Sequence, residues 1–264
     1  CEQAAEKGLS IVSGLCWRYD NEMRATFQQI HEGGVGDIVA MQCTYNTGGV
    51  KPHVPRQSDW SDMEYQIRNW YYYTWLSGDH NVEQHIHSLD KMAWALQDQY
   101  PVRCTGTGGR QVRTDPKWGN IFDHFSVVYE YADGVKAFSY CRQQEGCAKN
   151  VSDHVMGTQG TCDVFRQRIT GGEPWRYRGP KNDMYKTEHD ELLQSILSGQ
   201  PINNGQYMAK STLMAIMGRM SAYTGQIVTW EEALNSQHSL SPPAYEWGPL
   251  EVAPVAVPGV TKLA

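Results

Sequence analysis

Residues 122–144 read FDHFSVVYEYADGVKAFSYCRQQ. Two runs rich in β-branched and aromatic residues, 122–131 and 135–144, flank the dipeptide Asp133-Gly134. An Asp-Gly pair between two such runs is typical of a tight β-hairpin, because both residues tolerate the positive backbone angles of the turn. The stretch therefore predicts two antiparallel strands that meet at Asp133-Gly134.

More short strands are predicted on either side of this hairpin. The segments PVRCTGTGG, VSDHVMGT, CDVFRQRI and PWRYRG each read as one strand. Residues 37–46, DIVAMQCTYN, read as an earlier strand. Consecutive strands joined by short turns imply an open, largely antiparallel sheet.

Helices are predicted before and after these strands. CEQAAEKG at residues 1–8 reads as a helix and LSIVSGLCW at 9–17 as a short apolar strand, which together make one α-β step. A helix follows at 19–36, two more at 185–200 and 206–225, and a short one at 229–236 capped by Thr229. The predicted fold class is α+β, an open sheet with helices on one face.

Composition narrows the classes of function. The 264 residues carry a formal net charge of -6 without an acidic tail or a basic run, which disfavours nucleic acid as a partner. No apolar stretch is long enough for a membrane span. The seven cysteines include no C-x-x-C pair, so we expect buried thiols rather than a zinc knuckle or a disulfide framework.

The most unusual chemistry lies in SGDHNVEQHIHSLDKMAW, residues 77–94. Read as one helix, this stretch places His80, Glu83 and His87 on one side. An acid and a histidine one turn apart suit a proton relay, and the same three residues could surround a metal. The pattern is not H-E-x-x-H, so no metal is expected, while a solvated helix face remains the plain alternative.

Residues 51–75 precede this stretch and show little periodicity. Their composition is typical of a surface segment, such as a lid over a pocket. Two uses are open for the aromatic side chains, stacking on sugar rings or packing in the core. They are Trp60, Trp70, Tyr71, Tyr72, Tyr73 and Trp75.

Several motifs taken in order resemble the Gfo/Idh/MocA family of oxidoreductases. They are GLCWRYDNEMR, GGVGDIVAMQCTYN, GDHNVEQHIHSLDKMAW, TEHDELLQSILSGQPINN, STLMAIMGRMSAYTGQIVTWEEALNS and PGVTK. The resemblance implies that residues 1–17 are the remnant of an N-terminal Rossmann domain. It also implies that residues 18–264 form a C-terminal domain for substrate binding and oligomerisation through the open sheet face.

The resemblance implies site residues as well. The family signature D-x-x-x-H corresponds here to Glu83 and His87, with glutamate in place of aspartate. His87 is then expected to take the proton of a substrate hydroxyl, and Glu83 to orient that ring or hold a neighbouring hydroxyl. His80 and Arg18 are expected to contact the substrate.

The implied reaction is NAD- or NADP-dependent oxidation of a secondary alcohol of a sugar, glycoside or cyclitol. The family's E-K-P-like lysine motif and a strand-G-x-G-x-x-G-helix unit do not occur in the sequence, since TGTGGR at 105–110 has the wrong spacing. The 264-residue chain alone is therefore expected to bind NAD poorly or not at all. The alternatives are a redox-neutral NAD-dependent glycosidase and a non-catalytic carbohydrate-binding or oligomerisation module.

Overall fold

The computed structural model describes residues 1–262 in two compact units. The first unit comprises Cys1–Gln42, His87–Tyr100 and Ser152–Leu213. The second comprises Cys43–Ile86, Pro101–Val151 and, of the described residues, 214–262. Whether residues 1–17 derive from a separate nucleotide-binding domain stays a prediction.

Helices and strands are numbered along the chain. The helices are α1 (Glu2–Glu6), α2 (Asn21–His31), α3 (Asp62–Arg68), α4 (Thr74–Ser77), α5 (His80–Glu83), α6 (Ile86–Ala95), α7 (Met184–Ser198), α8 (Gly205–Thr224) and α9 (Trp230–Leu234). The strands are β1 (Ile38–Thr47), β2 (Arg103–Gly109), β3 (His124–Glu130), β4 (Lys136–Gln143), β5 (Asn150–Gly157), β6 (Thr161–Asp163), β7 (Arg168–Thr170), β8 (Trp175–Arg176) and β9 (Ile227–Thr229).

The sheet of the second unit confirms the predicted hairpin. Its order is β1-β4-β3-β2-β9, and β3 pairs antiparallel with β4 so that Val128 lies opposite Phe138. Gly134 has a φ of 90°, as an Asp-Gly turn requires. Side chains alternate between a buried face, which includes Val127 and Ala137, and a more exposed face. One face of the sheet therefore packs in the core, and the other face is more exposed.

The sheet of the first unit has the order β8-β7-β6-β5-β1. The strand pairs from β5 to β8 are antiparallel, which confirms the expected class of sheet. CDVFRQRI was predicted as one strand, but it forms β6 and β7 joined by a turn that includes Gln167 with a φ of 46°. PWRYRG contributes only the two residues of β8.

The predicted strand at 9–17 is wrong in extent. It is reduced to one parallel bridge between Ile11 and Asn203, followed by a 3-10 turn at Cys16–Tyr19. The apolar side chains of this stretch are used for packing, since Leu15, Cys16 and Tyr19 are buried. Apolar runs of this length do not distinguish a strand from another buried segment.

The single helix predicted at 77–94 is also wrong, because the chain breaks twice. Gly78 and Asp79 have φ angles of 73° and 69°, which separate α4 from α5, and a turn at residues 84–85 separates α5 from α6. Glu83 therefore ends one helix and His87 lies in the next. The expected spacing on one helical face does not apply to them.

The segment at 51–75 has two parts. Residues 51–59 are mostly exposed, as predicted for a surface segment, and Lys51, Pro52 and His53 line a cavity. From residue 62 on, the segment contains α3 and the buried residues Tyr71, Tyr72 and Tyr73, which cluster with Ile121 and against which Trp70 and Trp75 pack. Most of these aromatic residues are therefore core residues.

Local signals mark the later helices well. Asp183 caps α7 by accepting hydrogen bonds from two backbone N–H groups, and Gly199 ends that helix with a φ of 67°. Thr229 and Glu232 form a capping box at α9, which confirms the predicted cap. No helix within residues 1–262 is long and apolar enough to cross a membrane.

None of the seven cysteines, all of which lie within the described residues, forms a disulfide. Five are buried, as expected for small apolar side chains, whereas Cys1 and Cys147 are exposed.

Candidate functional site

Asp79 and His80 form a fully buried pair in the second unit. Nδ1 of His80 lies 2.9 Å from Oδ1 of Asp79 and donates to it. Oδ2 of Asp79 accepts hydrogen bonds from the backbone N–H of Phe122 and from the hydroxyl of Tyr223. These bonds satisfy both carboxylate oxygens and hold the positive φ of Asp79. Nε2 of His80 is buried and has no hydrogen-bond partner among residues 1–262.

Glu83 lies at one end of a relay of side chains in the same unit. The hydroxyl of Tyr71 accepts from Nε2 of Gln143 at 2.6 Å, and Tyr71 is one of the groups that act on the pKa of Glu83. Oε1 of Gln143 in turn accepts from a terminal nitrogen of Arg113 at 2.6 Å. Both hydrogen bonds donate away from Arg113, so this cation sets the direction of the relay.

The environment of Glu83 raises the pKa of its carboxyl. Burial is the largest cause, and the hydrogen bond from Tyr71 and the charge of Lys51 oppose it. Oε2 of Glu83 is buried without a partner. Within residues 1–262 this oxygen therefore keeps an unused capacity to accept a hydrogen bond.

A cavity of about 690 Å³ opens at the other end of the relay. This volume falls within the range of about 300–1,000 Å³ that is common for small-molecule sites. Its wall combines two aromatic rings with charged and amide groups, and it includes Lys51, Tyr72, Arg113, Trp118, Gln143 and Glu145. His53 also lines it, and burial followed by the charge of Lys117 lowers its pKa.

His87 lies in the first turn of α6, in the first unit. Burial is the largest cause that lowers its pKa, the charge of Lys91 lowers it further, and Asp90 acts in the opposite direction. The imidazole is therefore neutral at physiological pH, and its Nδ1 has no hydrogen-bond partner. A neutral, partly buried imidazole of this kind can accept a proton.

Arg18 is held by other residues of the first unit. Two nitrogens of its guanidinium each lie 2.9 Å from a carboxylate oxygen of Asp90, and it also pairs with Asp98. The guanidinium lies over the ring of Tyr207 at 4.0 Å. Its predicted contact with substrate, like that of His80, stays a prediction.

No group of three or more His, Cys, Asp or Glu side chains that could hold a metal ion occurs within the described part of the chain. His85 lies elsewhere, fully buried, with Nε2 2.7 Å from the Ser139 hydroxyl.

Sequence reasoning missed Arg113, Gln143 and Trp118. Arg113 and Trp118 lie in the irregular connection between β2 and β3, and Gln143 is the last residue of β4. One signal could have pointed to Gln143. It falls on the buried side of a strand whose side chains alternate, and a buried amide needs a hydrogen-bond partner.

The described residues do not fit a dinucleotide. A phosphate-binding glycine turn lies between a strand and a helix, but Gly106 and Gly108 lie within the antiparallel strand β2. A Cβ on Gly106 would lie 2.9 Å from the backbone nitrogen of Ala222. This glycine therefore allows α8 to pack closely on the strand.

A comparison with family models identifies the chain. The model described as the GFO/IDH/MocA C-terminal domain matches residues 23–163, more than half of the chain. The chain belongs to this family. The resemblance noted in the sequence is thereby confirmed, and members of the family are oxidoreductases. No curated protein matches the sequence significantly.

Solved structures support the same fold. The aldose-aldose oxidoreductase from Caulobacter crescentus, complexed with glycerol, superposes with a TM-score of 0.67 at 18% identity over 86% of this chain and 66% of its own. The myo-inositol 2-dehydrogenase from Lactobacillus plantarum gives 0.60 at 18% identity over 86% and 68%. GenD2 from gentamicin A biosynthesis, in complex with NAD, gives 0.65 at 16% identity over 86% and 66%. The chain thus spans about two thirds of the length of these proteins.

Proposed function

We propose that this chain is the substrate-binding part of an NAD- or NADP-dependent oxidoreductase that acts on a secondary alcohol of a sugar, glycoside or cyclitol. The observation that carries the proposal is the cavity of about 690 Å³ in a chain of this family. Two of the related solved structures are named as an inositol dehydrogenase and an aldose oxidoreductase, which is consistent with a polyhydroxylated substrate.

The cavity wall suits a sugar ring. Trp118 is partly exposed and offers aromatic surface, which packs against the C–H groups of a sugar, while the buried Tyr72 lies behind it. Gln143 and the charged residues offer donors and acceptors for hydroxyl groups. A mixed wall of this kind matches a ligand with apolar faces and polar edges.

The proposed roles follow from the protonation states. His87, neutral because burial lowers its pKa, accepts the proton of the substrate hydroxyl. The proposed role of Glu83 is to accept a hydrogen bond from another hydroxyl through the carboxylate oxygen that has no partner within residues 1–262. Neither His87 nor Glu83 is among the residues that line the cavity. The described residues offer no cradle for a dinucleotide, so the proposal places the cofactor on residues outside them.

The test follows nicotinamide absorbance with a panel of sugars, glycosides and inositols. It uses the gene product that carries this chain and, in parallel, the 264 residues alone. Net reduction of NAD or NADP by the gene product is the expected result. Replacing a general base reduces turnover by about 100-fold or more. His87→Ala should show this loss, while His189→Ala, an exposed histidine on α7, should not.

Other outcomes would overturn parts of the proposal. Full turnover by the His87→Ala variant would contradict the assignment of His87 as the general base. Cleaved product without net reduction would favour a redox-neutral glycosidase. Sugar binding with no turnover of any substrate by the gene product would favour a binding module.

A further inference from the structure

Arg113 carries a buried charge without a matching anion. The residue is 5% exposed, and its one side-chain hydrogen bond goes to the neutral amide of Gln143. Its second terminal nitrogen, Nη1, has no hydrogen-bond partner, and no carboxylate pairs with the guanidinium within residues 1–262. Buried charges are costly unless they are paired, so an unpaired guanidinium in a cavity wall indicates that an anion binds there.

The neighbouring residues compensate this charge only in part. The guanidinium carbon lies 5.6 Å from the ring centre of Tyr72 and 5.9 Å from that of Trp118. Both distances are near the limit of about 6 Å for a cation–π contact. The nearby Arg110 does not compete for an anion, because its guanidinium donates to backbone carbonyls, including that of Gly119.

The charge of the whole wall indicates which anion fits. Two cationic residues, Lys51 and Arg113, and one acidic residue, Glu145, line the cavity, so its formal charge is one positive. The carboxylate of Glu145 is held by the backbone N–H of Gly49 and would repel a dianion. A planar carboxylate with one negative charge therefore suits this wall better than a phosphate.

We propose that the cavity takes a sugar that bears a carboxylate group, such as a uronic acid, with Arg113 as the residue that recognises the carboxylate. Trp118 packs against the sugar ring, and Lys51 adds charge at the exposed side. This inference rests on the proposed function, since it names the substrate class of the same cavity. Hydrogen bonds run from Arg113 through Gln143 to the Tyr71 hydroxyl, so occupation of the cavity also holds Tyr71, which acts on the pKa of Glu83.

The test measures binding of matched sugars to the 264-residue chain by titration calorimetry. Glucuronate is compared with glucose and galacturonate with galactose, because each pair differs only in the carboxylate. An ionic hydrogen bond corresponds to about tenfold in affinity, so each acid should bind about tenfold more tightly than its neutral partner at low salt. Added salt should reduce this advantage and leave the neutral sugars unaffected.

Variants identify the group responsible. Arg113→Gln should remove the preference for the acid and keep the affinity for the neutral sugar. Arg166→Gln, which changes an exposed arginine of the first unit, should leave both unchanged. Glu145→Gln removes the repelling charge and should strengthen binding of the acid. This exposed position keeps the proposal testable if Arg113→Gln does not fold.

Each contrary result has a separate meaning. Equal binding of acid and neutral sugars, tighter binding of glucose 6-phosphate than of glucuronate, or a retained preference in Arg113→Gln would overturn this inference and leave the proposed function standing. Binding of neither class would count against both.

Discussion

At the scale of single residues, Lys91 and Asp153 form an ion pair in the first unit that water does not reach. The ammonium lies 2.8 Å from Oδ2 of Asp153 and 3.8 Å from the ring centre of Phe165. Both side chains are at most 1% exposed, and Oδ1 of Asp153 has no hydrogen-bond partner. Lys91 also lies one turn after His87 on α6, where its charge helps to lower the pKa of that histidine.

We expect Lys91→Met to destabilise the protein strongly. Removing one partner of a buried ion pair leaves an uncompensated charge, which costs about 3–5 kcal/mol in the free energy of unfolding. Urea unfolding followed by circular dichroism measures this loss. Lys186→Met breaks the exposed pair with Asp190 and should cost about 1 kcal/mol or less. Similar small losses in both variants would contradict the expectation.

Asp123 makes the free energy of unfolding of the second unit depend on pH in the acidic range. Burial raises the pKa of its carboxyl, but hydrogen bonds from His124, Gln144 and two backbone N–H groups outweigh burial and lower the pKa to about 2. An unfolded aspartate has a pKa of about 3.9. The contribution of Asp123 is therefore fully present above about pH 4 and is lost as the pH falls towards 2.

Asp123→Asn should accordingly be less stable than the wild type at pH 6, and the difference should shrink as the pH falls towards 2. Urea unfolding at a series of pH values checks this, with the exposed Asp59→Asn as the control. A difference between wild type and Asp123→Asn that does not change with pH would contradict the assignment.

At the scale of elements, the connection between β2 and β3 forms part of the cavity wall because of one glycine. Gly119 follows Trp118 directly and has a φ of 54°. A Cβ at this position would overlap the carbonyl oxygen of Tyr72. The backbone of the connection can therefore approach Tyr72 closely only with glycine at this position.

Gly119→Ala should lower stability and weaken sugar binding together, because the clash displaces Trp118 from the wall. Gly134→Ala is a matched control, since Gly134 has a φ of 90° but nothing within 4 Å of its Cβ position. The free energy of unfolding of Gly134→Ala should fall only by about 1–2 kcal/mol, the cost of a positive φ for a residue with a Cβ. Denaturant unfolding and calorimetric titration with sugar measure both effects. Equal losses of stability with unchanged sugar binding would show that the close approach is unimportant.

At the scale of the whole molecule, the open face of the second unit's sheet is the surface on which we expect a second copy of the chain. Four residues lie side by side on neighbouring strands. Val128 on β3 lies opposite Phe138 on β4 and Thr105 on β2, and Thr105 lies opposite Ile227 on β9. This row lies on the face opposite the core, and Ile227 is 54% exposed. Exposed apolar patches on a sheet are typical of interfaces between proteins.

Phe138→Lys should therefore convert a homo-oligomer into a smaller species in sedimentation velocity. Leu197→Lys is the control, because it adds the same charge at an exposed apolar residue of α7. A monomeric wild type, or dissociation caused only by Leu197→Lys, would show that the open sheet face is not the interface.

The sequence by itself determined the features that depend on neighbouring residues. The hairpin at Asp133-Gly134, the cap of α9 and the antiparallel class of sheet were all predicted, because each needs only a few adjacent positions. The ordered motifs also determined the family. Glu83 and His87 could be selected as candidates because an acid and a histidine four residues apart resemble its signature.

Only the tertiary structure decided what the polar residues contact. The helix breaks at Asp79 because Phe122 and Tyr223 satisfy its carboxylate, and Lys91 is buried because Asp153, 62 residues later, pairs with it. Arg113 became a site residue only when the fold brought Gln143, 30 positions away, within hydrogen-bond distance. Burial and the pairing of charges depend on contacts between distant segments, and local sequence patterns do not specify those contacts.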